Sequence, residues 1–472
     1  MLIFVAIMDL PEGYILIKQS EYDSLLATIK ELSFRIKELE GIISKNSSNS
    51  HKPPSSDGYK KEKQGIKNNR EQTDKKQGAQ PGNAGKTLKR IANPDKIVEH
   101  KIKGKCVCGT ELEPLPIKKI HRRQVFDLPE KLLEVTEHQI EIKQCVCGIR
   151  HEALCSIKGI TQYGERIKST AIYLNQYQYL PFERTQEFFE DIVGISISDS
   201  VLAESNEQCY EALKKPEEQI KKALQQSKVI HNDETGIRCK GDTQWIHSCS
   251  TEQYTHYSIQ EKRGKEGIDA IGILTDYKGI SVHDRWASYD KYTCTHALCN
   301  AHLLRELKWV KEEVGRAWAE QMIGLLVRAN NLKKENELDQ EAILTIEQKY
   351  LKIIEHGLKE EPPTPIPKIK KRGRIKKTKS LKLLEAFSNR KEEILRFVHN
   401  KDVPFDNNLA ERDIRMVKLK QKISGCFRTL YGAQVFCRIR SYISTARKQG
   451  YPILDAIKAA LVGSPVAIYH TD

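Results

Sequence analysis

The sequence predicts a multidomain α/β protein, and three observations carry that prediction. The chain has 472 residues, which corresponds to roughly three domains at about 150 residues each. Four short β-rich segments, KVIHNDETGI, QWIHSCST, YTHYSIQ and GISVHD, crowd into residues 228–284 around one helix-like segment, GKEGIDAIGILT. That is the pattern of a mixed sheet with a helix packed on it. Long stretches of helical period flank the block on both sides. Hydrophobic residues are 39% and charged residues 30% of the chain, which supplies a sizeable core and excludes global disorder.

The formal net charge is +15, so a polyanion, nucleic acid above all, is the expected partner. No apolar run reaches the ~18 to 20 residues of a membrane span. Met1–Met8 is apolar, but it is short and runs into Asp9 without a preceding base, a poor signal peptide. Twelve cysteines in so long a chain, without an export signal, predict reduced thiols and a cytoplasmic, nucleoid-associated protein.

Residues 21–45 read as a helix. Leu25, Ile29, Leu32, Ile36, Leu39 and Ile43 alternate spacings of four and three, a heptad seam with Glu and Lys on the other faces. A lone helix with about three heptads is marginal in water, so a coiled-coil homo-oligomer is expected. The competing reading is an amphipathic helix lying on its own domain. Residues 46–105 read as a basic flexible linker. It opens with NSSNSHKPPSSDG, made of turn and linker residues, and carries 15 Lys/Arg against 6 Asp/Glu between 51 and 105. Such a segment holds phosphates without reading sequence, or is simply a solvated tether.

Residues 106–155 contain Cys106-Val-Cys108-Gly and Cys145-Val-Cys147-Gly. The glycine after each pair permits the tight turn of a metal knuckle. With strand-like runs such as Leu132–Ile142 between them, two knuckles joined by a hairpin would form a small zinc-ribbon-like module. Cys106, Cys108, Cys145 and Cys147 would be the Zn²⁺ ligands, and His151 or Cys155 lies close enough to replace one. Zinc pairs usually have two or more residues between cysteines, whereas these have one. Residues 160–226 read as three helices, Arg166–Tyr179, Arg184–Val193 and Asp199–Gln226. The GISIS connection between the last two resembles a helix-turn-helix, a pattern that any helical bundle also gives, and this region is the candidate helical DNA-binding one. Helices are expected again from Ala301 to Gly357, at 380–398 and at Asn407–Lys422, with a break at Pro362–Pro367 and nine bases in Lys368–Lys382.

Three carboxylates stand out. Val229, His231 and Asp233 share one side of the first strand, and Ile280, Val282 and Asp284 one side of the fourth. A carboxylate in phase with buried residues is costly unless paired or metal-bound. Glu411, Arg415 and Lys418 share one helix face. Two strand-borne aspartates and a helix-borne glutamate can hold two Mg²⁺ ions about 3.5 to 4 Å apart for phosphoryl transfer. The pattern alone is unspecific, and Asp276, Asp290 and Glu234 are rivals. Arg412, Arg415, Lys418, Lys420, Lys422 and Arg428 open a stretch of ten bases at 412–448 whose one acid is Asp413, a candidate DNA face beside the site.

A longer set of segments narrows the choice. NSSNSHKPPSSDG (46–58), GAQPGNAGKTLK (78–89), FDLPEKLLEVTEHQ (126–139) and QYGERIKSTAIYLNQYQYLPFERT (162–185) are followed by NDETG (232–236) and HDRWASY (283–289). VPFDNNLAERDIRMVKLKQKISGCFRT (403–429) and GAQVFCRIRSYISTARKQG (432–450) complete it. In this order they resemble bacterial transposases of the insertion-sequence-66 family, within the DDE superfamily. The resemblance implies a ribonuclease-H-like catalytic core at 228–300 and 401–463, split by a helical insertion at 301–400. Asp233, Asp284 and Glu411 match the three catalytic carboxylates. It implies a transposase that binds the terminal repeats of its own element, hydrolyses phosphodiesters there with two Mg²⁺ ions and joins the 3′-hydroxyl ends to target DNA. Accessory proteins of the element are further partners. The rivals are a metal-dependent nuclease or resolvase on the same fold and a DNA-binding regulator whose catalysis has decayed. Cys299-Asn-Ala-His302 resembles the C-x-x-H signature of related transposases. Two ligands are too few for a metal, so a packing or orienting role is expected. The one-residue spacing of the cysteine pairs departs from the family pattern.

Overall fold

The computed structural model describes residues 18–43, 88–157, 159–361 and 377–468. They fall into two compact units. Residues 88–154 with 191–194 belong to the small one, and the remaining described residues to the large one. The linker at 46–87 and most of the basic run at 368–382 lie outside the described residues.

In the small unit the backbone is extended with little regular structure. Two turns recur in it. Cys106 N–H donates to Thr110 O (2.9 Å) and Gly109 N–H to Cys106 O (2.8 Å). Cys145 N–H donates to Ile149 O (2.8 Å) and Gly148 N–H to Cys145 O (2.8 Å). Gly109 and Gly148 both sit at φ +88°, a left-handed conformation that glycine adopts without penalty. The second turn closes a hairpin of β1 (Ile142–Gln144) and β2 (Arg150–Glu152). The first is flanked by a single bridge, Lys105 to Glu111. Each knuckle therefore caps its own hairpin. The sequence reading had one hairpin joining the two, but Leu132–Ile142 lacks a strand partner except at Ile142. The run alternates like a strand, yet its backbone pairing is confined to its end, where Glu141 O accepts Ala153 N–H (3.0 Å) and Ile142 pairs with Glu152.

The large unit is mostly helical around one mixed sheet. Helix α1 spans Gln19–Ile43. Then come α2 (Glu165–Ile172), α3 (Phe182–Phe188), α4 (Asp199–Ala212) and α5 (Lys214–Gln226). The third expected helix is thus two, divided at Leu213 just before Pro216, whose ring cannot continue a helix interior. The sheet is built from β3 (Val229–Cys239), β4 (Asp242–Ser250), β5 (Thr255–Gln260), β6 (Ile280–His283) and β7 (Thr295–Leu298), with α6 (Lys265–Ile271) before β6. Its order is β5-β4-β3-β6-β7. The first three strands form an antiparallel meander, and β6 and β7 add in parallel. β7 was not foreseen, because four residues are too few to show an alternation.

Successive side chains of the meander strands point to opposite faces, and each face has its own core. Ile230 and Cys249 pack with α5 and α6 through Ile220, Leu224 and Ile268. Ile237 and Ile246 face the other way, against Ile414 and Val417 of α13 (Asn408–Ser424) and Phe436 of α14 (Leu430–Lys448). A last helix, α15 (Ile453–Leu461), packs with α2, α4 and α14. Between β7 and α13 run α7 (Asn300–Trp309), α8 (Ala317–Glu335), α9 (Gln340–Glu360), α10 (Lys379–Asn389), α11 (Lys391–Ile394) and α12 (Arg396–His399). They enclose Trp318, Met322, Leu326, Tyr350 and Phe387, and the same core takes in Val282, Ala297 and Leu298 from β6 and β7. The helical region is thereby seated on the sheet edge, and the chain returns to the sheet at α13.

Candidate active site

Strand parity decides which carboxyl faces which core. Asp233 shares the parity of Ile237, so it points to the face covered by α13. Glu234 points to the opposite face. On α13, Ala410, Glu411, Ile414 and Val417 are the buried residues. Ile414 and Val417 anchor the helix to the sheet, and Glu411 lies one turn earlier on the same stripe. β3 and β6 pair in parallel with His231 opposite Val282. Carrying that register two residues onward sets Asp233 opposite Asp284, which follows the end of β6. Adjacent strands lie about 4.8 Å apart.

The electrostatics agree with that placement. Burial pushes the Asp233 carboxyl well above the usual range, and the charges of Glu234, Asp284 and Glu411 push it further. Asp233 Oδ1 accepts Glu234 N–H at 2.9 Å, and Asp284 Oδ1 accepts Trp286 N–H at 3.0 Å. Glu411 is 9% exposed. Its Oε2 lies 3.1 Å from Arg415 Nη2. Its Oε1 lies 3.7 Å from His302 Nε2 and 3.8 Å from Arg305 Nη2 and has no hydrogen bond.

The rival acids have other surroundings. Glu234 has a nearly inaccessible side chain, paired with Arg263 (2.7 Å) and accepting Tyr289 Oη–H (2.6 Å). Arg263 in turn stacks on Trp286 (4.3 Å) and Trp245 (5.0 Å). Asp290 pairs with Arg390 at 2.6 Å, and Asp276 is exposed.

Asn407, which sequence reasoning passed over, joins the elements that bear the carboxyls. Buried at the N-cap of α13, it accepts from His231 Nδ1 (2.8 Å) and donates Nδ2–H to Asn232 O (2.8 Å), both on β3. Its backbone N–H donates to Cys299 Sγ (3.2 Å). Asn and Asp at 406–408 were a legible helix-start signal, but their partners were not. Burial pushes the Cys299 thiol up to about 12.

The basic stretch divides into inward and outward groups. Arg412, Lys422 and Arg428 are exposed. Arg415 is also exposed while it pairs with Glu411. Lys418 donates to Gly236 O, and Lys420 lies 3.9 Å from the Phe427 ring centroid, where burial pushes its ammonium down to about 8. Further along, Arg438 pairs with Glu217 (2.6 Å) and Lys448 with Asp413 (2.8 Å). Arg440 is buried over Tyr177 and Tyr179. The charge of 412–448 is therefore not one continuous outward face.

Among the cysteine pairs, Cys106 is half-buried and Cys108, Cys145 and Cys147 are exposed. Hydrogen bonding to Thr110 draws the Cys108 thiol down to about 7. Hydrogen bonds involving Cys147 lower Cys145. Among the described residues these pairs are not gathered into a set of three or more converging ligands. The trio that does converge is Cys299, His302 and Glu411, with ligand atoms all within 4.8 Å of one another.

Comparison with known proteins adds two matches. The model of the transposase IS66 family matches residues 160–435, more than half of the chain. That span includes Asp233, Asp284 and Glu411. A family of unknown function (DUF6444) matches residues 8–89. No curated protein matches the chain. Among the described residues, no helix is long and apolar enough to cross a membrane.

Proposed function

The chain belongs to the transposase IS66 family, and on that premise we propose that it cuts the ends of its own mobile element and joins them to target DNA. Asp233, Asp284 and Glu411 are the proposed catalytic carboxylates, on a ribonuclease-H-like core formed by 228–300 and 401–463 with the helices of 301–400 inserted. The observation that carries the reading is the environment of Asp233, half-buried on β3 beside the strand that leads into Asp284 and on the face covered by the helix that bears Glu411. A site with that excess of negative charge fits a hard divalent cation, and its oxygen donors suit Mg²⁺. Two Mg²⁺ ions held there would activate the attacking oxygen and stabilise the leaving one.

The chain's own groups have separable tasks in this reading. Asp233 and Asp284 present their carboxylates from neighbouring strands. Glu411 completes the set from α13, oriented by Arg415 and Arg305. Arg412, Lys422 and Arg428, exposed on and after α13, hold the phosphates flanking the scissile bond. Arg415, Lys418 and Lys420 line the same region. The element ends are bound by the helices of 160–226, with the linker of 46–105 adding sequence-independent affinity. Residues 106–155 form a zinc module through Cys106, Cys108, Cys145 and Cys147. The lowered thiols of Cys108 and Cys145 support this, because the thiolate is the metal ligand. The helix of 21–45 assembles two copies. Its seam residues Leu25, Ile29, Leu32 and Ile36 are all about half exposed, so a partner helix would find them available.

Labelled element ends incubated with purified protein and Mg²⁺ test the proposal. End-specific nicking followed by joining, absent in Asp284→Asn and Glu411→Gln variants that still bind the ends, is the expected result. Unspecific cutting would make the protein a nuclease. Binding without cutting would make it a regulator.

A further inference from the structure

Cys299 and His302 offer two metal donors in sequence, and the fold supplies a third. Cys299 caps α7, and His302 follows in its first turn, with His302 N–H donating to Cys299 O at 3.2 Å. Both side chains thus stand on one side of the helix start. Glu411 arrives from the first turn of α13. Two hydrogen bonds hold the two helix starts together, from backbone Asn407 N–H to the Cys299 Sγ side chain (3.2 Å) and from Asn300 N–H to Phe405 O (3.0 Å). The three ligand atoms lie within 4.8 Å of one another. Glu411 Oε1 is buried without a hydrogen bond, its nearest cations standing 3.7 and 3.8 Å away.

We propose that Cys299, His302 and Glu411 bind a zinc-class divalent cation, and that this cation competes with Mg²⁺ for Glu411. The competition rests on the role of Glu411 proposed above, but the site itself does not. Thiolate, imidazole and carboxylate make a donor set for Zn²⁺ or Co²⁺, with water as the fourth ligand. Mg²⁺ takes oxygen and has no use for sulfur. Thiolate and carboxylate together bring two negative charges, which the dication neutralises. Arg305 and Arg415 then compete with the ion for Glu411, which makes the site reversible. An ion held there turns the Glu411 carboxylate toward α7 and withdraws its charge from Asp233 and Asp284.

Cobalt is the direct probe. Full-length protein stripped of metal is titrated with Co²⁺, following the sulfur-to-cobalt absorption and the bound stoichiometry, in wild type, Cys299→Ser and His302→Gln. The paired cysteines contribute equally to all three, so the difference isolates this site. Serine still accepts the Asn407 N–H bond, and melting curves identify any variant that fails to fold. If one does, the other decides. The expected result is one Co²⁺ equivalent lost, or its affinity lowered about ten-fold or more, in both variants, since even outer-sphere changes cost about that much. Identical spectra and stoichiometry in folded variants overturn the site. In Mg²⁺-supported cleavage of element ends, each protein is then compared with its own zinc-free rate. Wild type should be inhibited at about ten-fold lower Zn²⁺ than either variant, and equal sensitivity overturns the competition. If wild type shows no Mg²⁺-dependent cleavage, the carboxylate assignment and the competition fall together, and the cobalt difference still decides the site.

Discussion

Asp233→Asn removes one negative charge from a place where three other carboxylates oppose it, with almost no change of shape. The register of β3 and β6, carried two residues past its last pair, brings the backbones of Asp233 and Asp284 to neighbouring strands about 5 Å apart, and that spacing serves as the scale for their charges. At an effective dielectric of about 20, two such charges repel by roughly 3 kcal/mol. Part of this is already relieved, because the Asp233 carboxyl is pushed up by burial and its neighbours and holds its proton longer. A net stabilisation of metal-free protein by about 1–3 kcal/mol is expected. The sign follows from linkage. A carboxyl with a raised folded-state pKa penalises folding above its unfolded value of about 3.9, increasingly until the folded value is passed. The variant's advantage should therefore be absent below about pH 4, grow as pH rises, and then level off. Mg²⁺ should reverse the order, because it stabilises the wild type and not the variant. Melting curves from pH 4 to 8, with chelator and with Mg²⁺, would show both effects. The reasoning is refuted if Asp233→Asn melts below wild type in chelator at pH 8, or if Mg²⁺ raises both melting temperatures equally.

Three further outcomes are expected. Asn407→Ala leaves His231 and Asn232 O without their buried partner, so it should cost about 1–3 kcal/mol in a denaturant titration and weaken the Mg²⁺ dependence of cleavage. Changing Cys106 and Cys145 to Ser should remove one zinc equivalent relative to wild type, measured by metal analysis of reduced protein; unchanged zinc would return these cysteines to ordinary residues. Ile29→Glu with Ile36→Glu should weaken self-association by about 100-fold, measured by light scattering, and leave single-end nicking in place while joining is lost. The same oligomeric state in both proteins would show that the seam packs within its own chain.

Much of the local structure was legible because it depends on local periodicity. The alternation of Val229, His231 and Asp233 placed Asp233 on an inward face, and the strand continuing to Cys239 sends Glu234 the other way. Asn407–Lys422 was readable as a helix, and it is found at Asn408–Ser424. Gly109 and Gly148 marked their turns, since the left-handed backbone there needs a residue without a Cβ. Ordered motifs over most of the chain were enough to reach the family.

What the sequence could not supply is convergence across long intervals. No local rule says that the start of α7 meets the start of α13, because the contact is made by the core of the intervening helices and by the backbone of Asn407. Two donors in sequence thus became three in space. Nor does a count of bases tell which reach solvent. Arg438, Arg440 and Lys448 face Glu217, two tyrosines and Asp413 because α14 packs on β5 and α5. Periodicity fixes which side of an element a residue occupies, and only packing decides what stands opposite.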